Sequence, residues 1–180
     1  MAKPKVASDW LAGCAGCHMS FLDMDERLIE LLKLVDLRAT PITDLKEPDE
    51  EGVDVGILEG GLSNSYNEEV ALKMRKRSKI LVALGDCAVF GGVPAMRNFP
   101  GAHEALKRAY IETESTDSSG MIPNDPELST PVHVRPVSDL VKVDVFLPGC
   151  APSADAIFAA LSELAQGRIP KVEGELNDWH

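Results

Sequence analysis

The chain contains no uninterrupted apolar run close to the roughly 18 residues that a membrane-spanning helix requires, and Met1-Ala2-Lys3-Pro4-Lys5 leads into no signal-peptide core. Both absences lead to the expectation of a cytoplasmic protein with no membrane partner. Cations are scarce as well. The 18 Lys and Arg stand against 29 Asp and Glu, and the formal charge of −11 speaks against a nucleic-acid partner, whose phosphates would be repelled. Cysteine is the third scarcity, with four in 180 residues, at 14, 17, 87 and 150. Structural disulfides are not expected in a reducing compartment, so these thiols point to metal binding or catalysis.

What is present suffices for one domain with a sizeable core, expected to span 1–180. At this length about 70% of the unfolded surface can be buried, and the apolar share of 44% and charged share of 26% are those of an ordinary globular chain. Lys5 to Leu11 reads as a first strand. Ser20 or Asp23 then caps a helix in which Phe21, Leu22, Leu28, Ile29, Leu31, Leu32 and Val35 recur at helical spacing. Leu37 to Ile42 reads as a second strand, placed near a sheet edge by Pro41. A third runs from Val53 to Leu58 and ends in Glu59-Gly60-Gly61. A helix to Arg77 follows, with Lys73, Arg75, Lys76 and Arg77 at the negative end of its dipole.

Lys79 to Leu84 is a continuous apolar run of the kind found in parallel sheets, and it delivers Cys87. A short helix is expected around His103 to Tyr110. From Glu112 to Pro136 periodicity is lost in a Ser, Thr, Pro and Asp-rich insertion too long for an ordinary connection. A fifth strand is read over Val141 to Leu147, and Ser153 caps a last helix that Gly167 ends. Alternation of this kind predicts an α/β fold, a flavodoxin-like doubly wound parallel sheet of about five strands. Loops after its strands share the carboxyl edge, where ligands bind. Cys14, Cys17, Glu59, Cys87 and Cys150 are therefore expected to meet there.

The stretch Gly13-Cys14-Ala15-Gly16-Cys17 curls freely at its glycines, so both thiols can face one centre, and Cys87 and Cys150 each follow an apolar run and a glycine. Structural zinc mostly uses two close pairs of ligands, whereas one pair and two distant single cysteines suit a 4Fe-4S cluster, whose irons are reached from separate loops. A thioredoxin-type dithiol needs neither Cys87 nor Cys150, and such a dithiol more often opens a helix. A flavodoxin's flavin would need a Ser, Thr and Gly-rich phosphate loop where the two cysteines stand. His18 reads as a metal ligand, a donor to cluster sulfur, or a helix-entry residue that merely caps. Glu59 reads either as a surface acid or as a carboxylate poised for proton transfer. Asp86 reads either as a charge lowering the cluster's potential or as an acceptor of backbone amides in its turn.

The order CxxC, Gly-x-Cys-x-x-x-Gly-Gly, Pro-Gly-Cys-x-Pro resembles the small subunit of nickel-iron hydrogenases over nearly the whole chain. Ser20 to Leu28, Gly91 to Asn98 and Asp155 to Phe158 resemble more particularly the cytoplasmic, bidirectional, NAD-reducing group. The resemblance implies that Cys14, Cys17, Cys87 and Cys150 are the four ligands of a proximal 4Fe-4S cluster and that Glu59 lies near the large-subunit interface. It implies a nickel-iron centre in the hydrogenase large subunit, and partner iron-sulfur and flavin diaphorase subunits that carry electrons to FMN and NAD. No sequence signal supports an FMN near this chain itself. Ala151 departs from the second proline usual after the last cysteine, and no cysteines remain for medial or distal clusters. A further iron-sulfur subunit is therefore expected to dock close by, and the Glu112 to Pro136 insertion is expected to form part of the contact surface for the large subunit. The missing twin-arginine leader suits a cytoplasmic enzyme. The alternatives are a structural zinc module, or a subunit of another hydrogenase or of an NADH dehydrogenase type complex; in the last of these, adjacent cysteines, absent here, are expected at the first site.

Overall fold

The apolar runs of the sequence become five parallel strands in a computed structural model, which describes residues 2–171. The main sheet is built from β1 (Lys5–Trp10), β2 (Asp36–Ala39), β3 (Val53–Glu59), β5 (Ser78–Leu84) and β7 (Val145–Leu147), in the order β2-β1-β3-β5-β7. Every pairing in it is parallel. That is the flavodoxin-like order, with its switch point between β1 and β3. Strand residues alternate between two cores, which is why the sequence runs are apolar throughout. Val6, Val55, Ile57, Val82, Leu84 and Leu147 face α1 (Gly16–Leu22), α2 (Glu26–Leu34) and α6 (Ala154–Ala165). Ala7, Val53, Leu58, Leu81 and Ala83 face α3 (Ser65–Arg77), which contributes Val70, Ala71 and Met74, and α4 (Gly85–Phe90), which contributes Ala88.

The structure redraws several elements. The helix expected to run through to Val35 is two, broken where Asp25 takes φ +51 and Met24, 1% exposed, turns into the core. Strand β2 stops before Pro41 and lies at the sheet edge, where a residue without an N–H is tolerated. The fifth strand is only Val145–Leu147. Asp144 just before it is occupied otherwise: its N–H donates to Leu81 O at 2.9 Å, and its carboxylate accepts the Leu81 N–H at 2.9 Å and the Arg75 guanidinium. The irregular stretch from 112 to 136 contains β6 (Pro131–Arg135), paired antiparallel with β4 (Leu62–Asn64) in a small second sheet. Arg97 fastens both strands, donating to Ser63 O and Val132 O, while the Asn98 side chain exchanges two 2.8 Å bonds with the backbone of Val134. Helix α5 (Ala102–Tyr110) lies where a short helix was expected. The extremes of the expected 1–180 domain, residue 1 and residues 172–180, lie outside the described residues. Among the described residues no helix is long and apolar enough to cross a membrane.

Asp144 gives the fold an acid dependence. Burial pushes its carboxyl up, but the Leu81 amide, Arg75 and Lys142 outweigh that and hold it at about 2. The unfolded chain, with an ordinary Asp near about 3.9, binds the proton first as pH falls. The stabilisation is therefore full above the unfolded value and is lost as pH drops from there towards about 2. Asp144→Asn is expected to cost about 1.5–3 kcal/mol at neutral pH and to flatten the acid limb of urea-denaturation midpoints measured against pH.

Candidate metal centre

Three cysteine-bearing segments leave the carboxyl ends of β1, β5 and β7, and each is bonded to a neighbour. After β1 the chain zips to the turn after β3. Leu11 N–H donates to Glu59 O at 2.6 Å, and Ala12 and Gly61 exchange bonds of 3.1 and 2.8 Å. Gly60 makes this approach possible: its φ is +92, and a Cβ there would stand 2.8 Å from Ala12 O. Cys14 follows, exposed. Ala15, at φ +62, then turns the chain into α1, so that Cys17 is buried in the first helical turn. Cys87 lies in α4 rather than in a loop, and Cys150 is exposed in the turn after β7.

Missing side chains clear the space between these sulfurs. A Cβ on Gly85 would fall 2.2 Å from Cys17 Sγ, one on Gly92 2.7 Å from Cys87 Sγ, and one on Gly16 3.0 Å from Cys14 Sγ. Burial pushes the Cys17 thiol up, and the charges of Glu59, Cys87, Cys14 and Cys150 push it further. Cys87 is raised chiefly by burial, opposed by the Val93 N–H and reinforced by Cys150, Cys14 and Glu59. The four expected ligands thus sit in one basin. Thiolates gathered this closely repel, and a cationic metal core is what relieves that repulsion and draws the protons off. Among the described residues no three Cys, His, Asp or Glu side chains close on a point at the range of ligands to a single ion. Four soft thiolates spread round a glycine-lined basin fit a polynuclear iron-sulfur group.

Glu59 is not a surface acid. The residue is 2% exposed, and its carboxylate serves as the missing cap of α1. Oε1 accepts the Cys17 N–H at 3.2 Å, and Oε2 accepts the His18 N–H at 2.9 Å and also meets His18 Nδ1. Burial pushes the carboxyl up, but the His18 ring and the two amides prevail and leave it below its ordinary value. His18 takes neither a metal-facing nor a merely capping role. Its ring is buried, and both its nitrogens are engaged elsewhere, Nε2 3.0 Å from Ser8 Oγ and Nδ1 on Glu59. Asp86 accepts a backbone amide, as in the second of its two readings, but that of Gly149 in the turn after β7 rather than one of its own turn, at 2.7 Å. Since Cys17 does open a helix, helix position no longer argues against a redox dithiol; Cys87 and Cys150 beside it still do.

Two residues of this machinery escaped sequence reading. Ser8 carries a readable signal, a hydroxyl at a core-facing position of an apolar strand. Ser20, expected as a helix cap, lies inside α1 instead, and nothing in the sequence signals that its Oγ donates to Pro152 O at 2.5 Å, tying α1 to the turn that bears Cys150.

Comparison with known proteins agrees with this fold. The family model described as NADH ubiquinone oxidoreductase, 20 kDa subunit, matches residues 14–164. The NAD-reducing hydrogenase HoxS subunit delta of Cupriavidus necator is 42% identical, over 98% of this chain and 86% of that protein. One chain of an F420-non-reducing hydrogenase of Methanocaldococcus jannaschii is 38% identical over 93% of this chain, which spans only 58% of that relative. A chain in the crystal structure of an NAD+-reducing NiFe hydrogenase in the H2-reduced state superposes with a TM-score of 0.90, at 39% identity and 96% coverage of both chains. This chain therefore belongs to the NADH ubiquinone oxidoreductase 20 kDa subunit family, and within it to the company of the NAD-reducing nickel-iron hydrogenase small subunits.

Proposed function

We propose that this chain is the electron-transfer small subunit of a cytoplasmic NAD-reducing nickel-iron hydrogenase, one domain holding a single 4Fe-4S cluster on Cys14, Cys17, Cys87 and Cys150. The cluster supplies one-electron transfer between a nickel-iron centre in the large subunit and iron-sulfur and flavin diaphorase subunits, so that H2 + NAD+ gives NADH + H+. The observation that carries this reading is the shared basin, in which glycine stands at the three positions where a Cβ would strike the sulfur of Cys14, Cys17 or Cys87. The chain's own part is to gather four thiols from three strand ends, Cys17 buried, Cys87 half-buried, and Cys14 and Cys150 exposed. Glu59, whose carboxylate touches both Cys17 and His18, is proposed to carry protons at this edge.

Partners follow from the surface. Cys14 and Cys150 are exposed, and Met19, Phe90, Val93, Met96 and the 91% exposed Phe99 on the neighbouring segments add apolar area of the sort that marks an interface. Coverage by the large subunit would keep oxygen from the cluster and give its electrons one destination. The exposed Met121 and Leu128 of the insertion are proposed to extend that contact.

Anaerobic purification of the complex should yield, for each copy of this chain, a cluster complement of about four iron and four sulfide beyond that of its partners, together with a nickel-bearing partner. Isolated chain with stoichiometric zinc and no iron would overturn the proposal. Hydrogen-dependent dye reduction by the chain alone, at the rate of the complex, would overturn the need for partners.

A further inference from the structure

We propose that Asp86 is a positioning residue that fixes the separation of Cys87 and Cys150. Strands β5 and β7 are in register up to Leu84 and Leu147, and there the ladder ends. Beyond it Gly85 at φ +82 and Gly149 at φ +133 turn both chains away from extended geometry, so the sheet no longer holds them. Asp86 continues the pairing by other means. Its N–H donates to Gly149 O at 2.9 Å, and its Oδ1 accepts the Gly149 N–H at 2.7 Å. A side-chain oxygen thus stands in for the carbonyl that a continuing strand would offer. Two bonds between the same two residues leave no hinge between them, and each of these residues immediately precedes a cysteine. The spacing of two thiols 63 positions apart at this step is set by one carboxylate.

This inference rests on reading the four thiols as cluster ligands, and its test separates the two. In the full chain with its partners, Asp86→Ala is expected to release iron to a chelator roughly 10-fold faster or more, the scale seen when groups that orient metal ligands are removed. Asp86→Asn keeps an oxygen that accepts the same N–H, and should retain iron like the parent. A second measurement needs no iron. In a Cys14→Ser, Cys17→Ser background, a short bifunctional thiol reagent should join Cys87 to Cys150 readily in the parent, poorly in Asp86→Ala, and readily again in Asp86→Asn. Equal iron release and equal cross-linking in parent and Asp86→Ala would overturn the proposal, as would failure of Asp86→Asn to rescue. Absence of iron from the parent would overturn the cluster assignment instead, and the cross-linking would still judge Asp86.

Discussion

Gly85→Ala is expected to empty the cysteine basin. The added methyl would stand 2.2 Å from Cys17 Sγ, far inside contact distance, and Gly85 already holds a φ of +82. The sulfur can yield only by leaving its place in the basin. Cys17 is buried in the first turn of α1, and Glu59 grips the amides of both Cys17 and His18. Overpacking costs about 1–3 kcal/mol and the left-handed backbone about 1–2 kcal/mol more, which together displace one ligand. Iron retained by the complex on this chain should fall roughly 10-fold or more, and hydrogen-dependent NAD+ reduction with it. Gly101→Ala provides the control. Gly101 also has positive φ, +84, but nothing stands within 4 Å of its would-be Cβ. It should cost stability alone, and an equal iron loss in both variants would show that backbone strain, not the sulfur contact, is responsible.

Removal of the Glu59 carboxylate should produce the largest loss of stability. Glu59→Ala would leave the His18 ring and two buried N–H groups without their acceptor, and breaking a buried pair of this kind costs about 3–5 kcal/mol. For a chain of this size that corresponds to a fall in Tm of roughly 6–20 °C. Glu59→Gln separates anchoring from proton transfer, because the amide keeps an acceptor and nearly the same shape but has no ionisable proton. It should fold and load iron, while hydrogen oxidation drops. Turnover equal to the parent, with an unaltered reduced-cluster spectrum, would leave Glu59 as the anchor of α1 alone. Because the carboxyl is held below its ordinary value, its share of stability is present at neutral pH and lost on acidification; Glu59→Gln should weaken that loss.

The sequence made the sheet and the shared edge of the cysteine-bearing segments legible for a common reason. Runs such as Leu81 to Leu84 are buried on both sides, and a parallel sheet sends every following loop to one edge. What it concealed depends on contacts between distant residues. Three-residue β4 is too short to show an alternation, and β6 gains its order from Arg97 and Asn98, more than 30 positions earlier. The break between α1 and α2 leaves helical spacing intact on both sides, and only the burial of Met24 reveals it. The orientation of His18 was unreadable because Ser8 and Glu59, on two different strands, decide it.

The bonds that close the basin also set a timetable for its assembly during synthesis. Glu59 joins residues 42 positions apart, Asp86 and Gly149 are 63 apart, and Ser20 and Pro152 are 132 apart. A growing chain can stack β1, β3 and β5 and present Cys14, Cys17 and Cys87 while β7 is still inside the ribosome. The fourth wall arrives only with the last strand and the turn that carries Cys150. Such distant closures come late in folding. Cys87 therefore stands through the synthesis of the next 63 residues without the wall that carries Cys150, and the basin is complete only once that last segment has emerged.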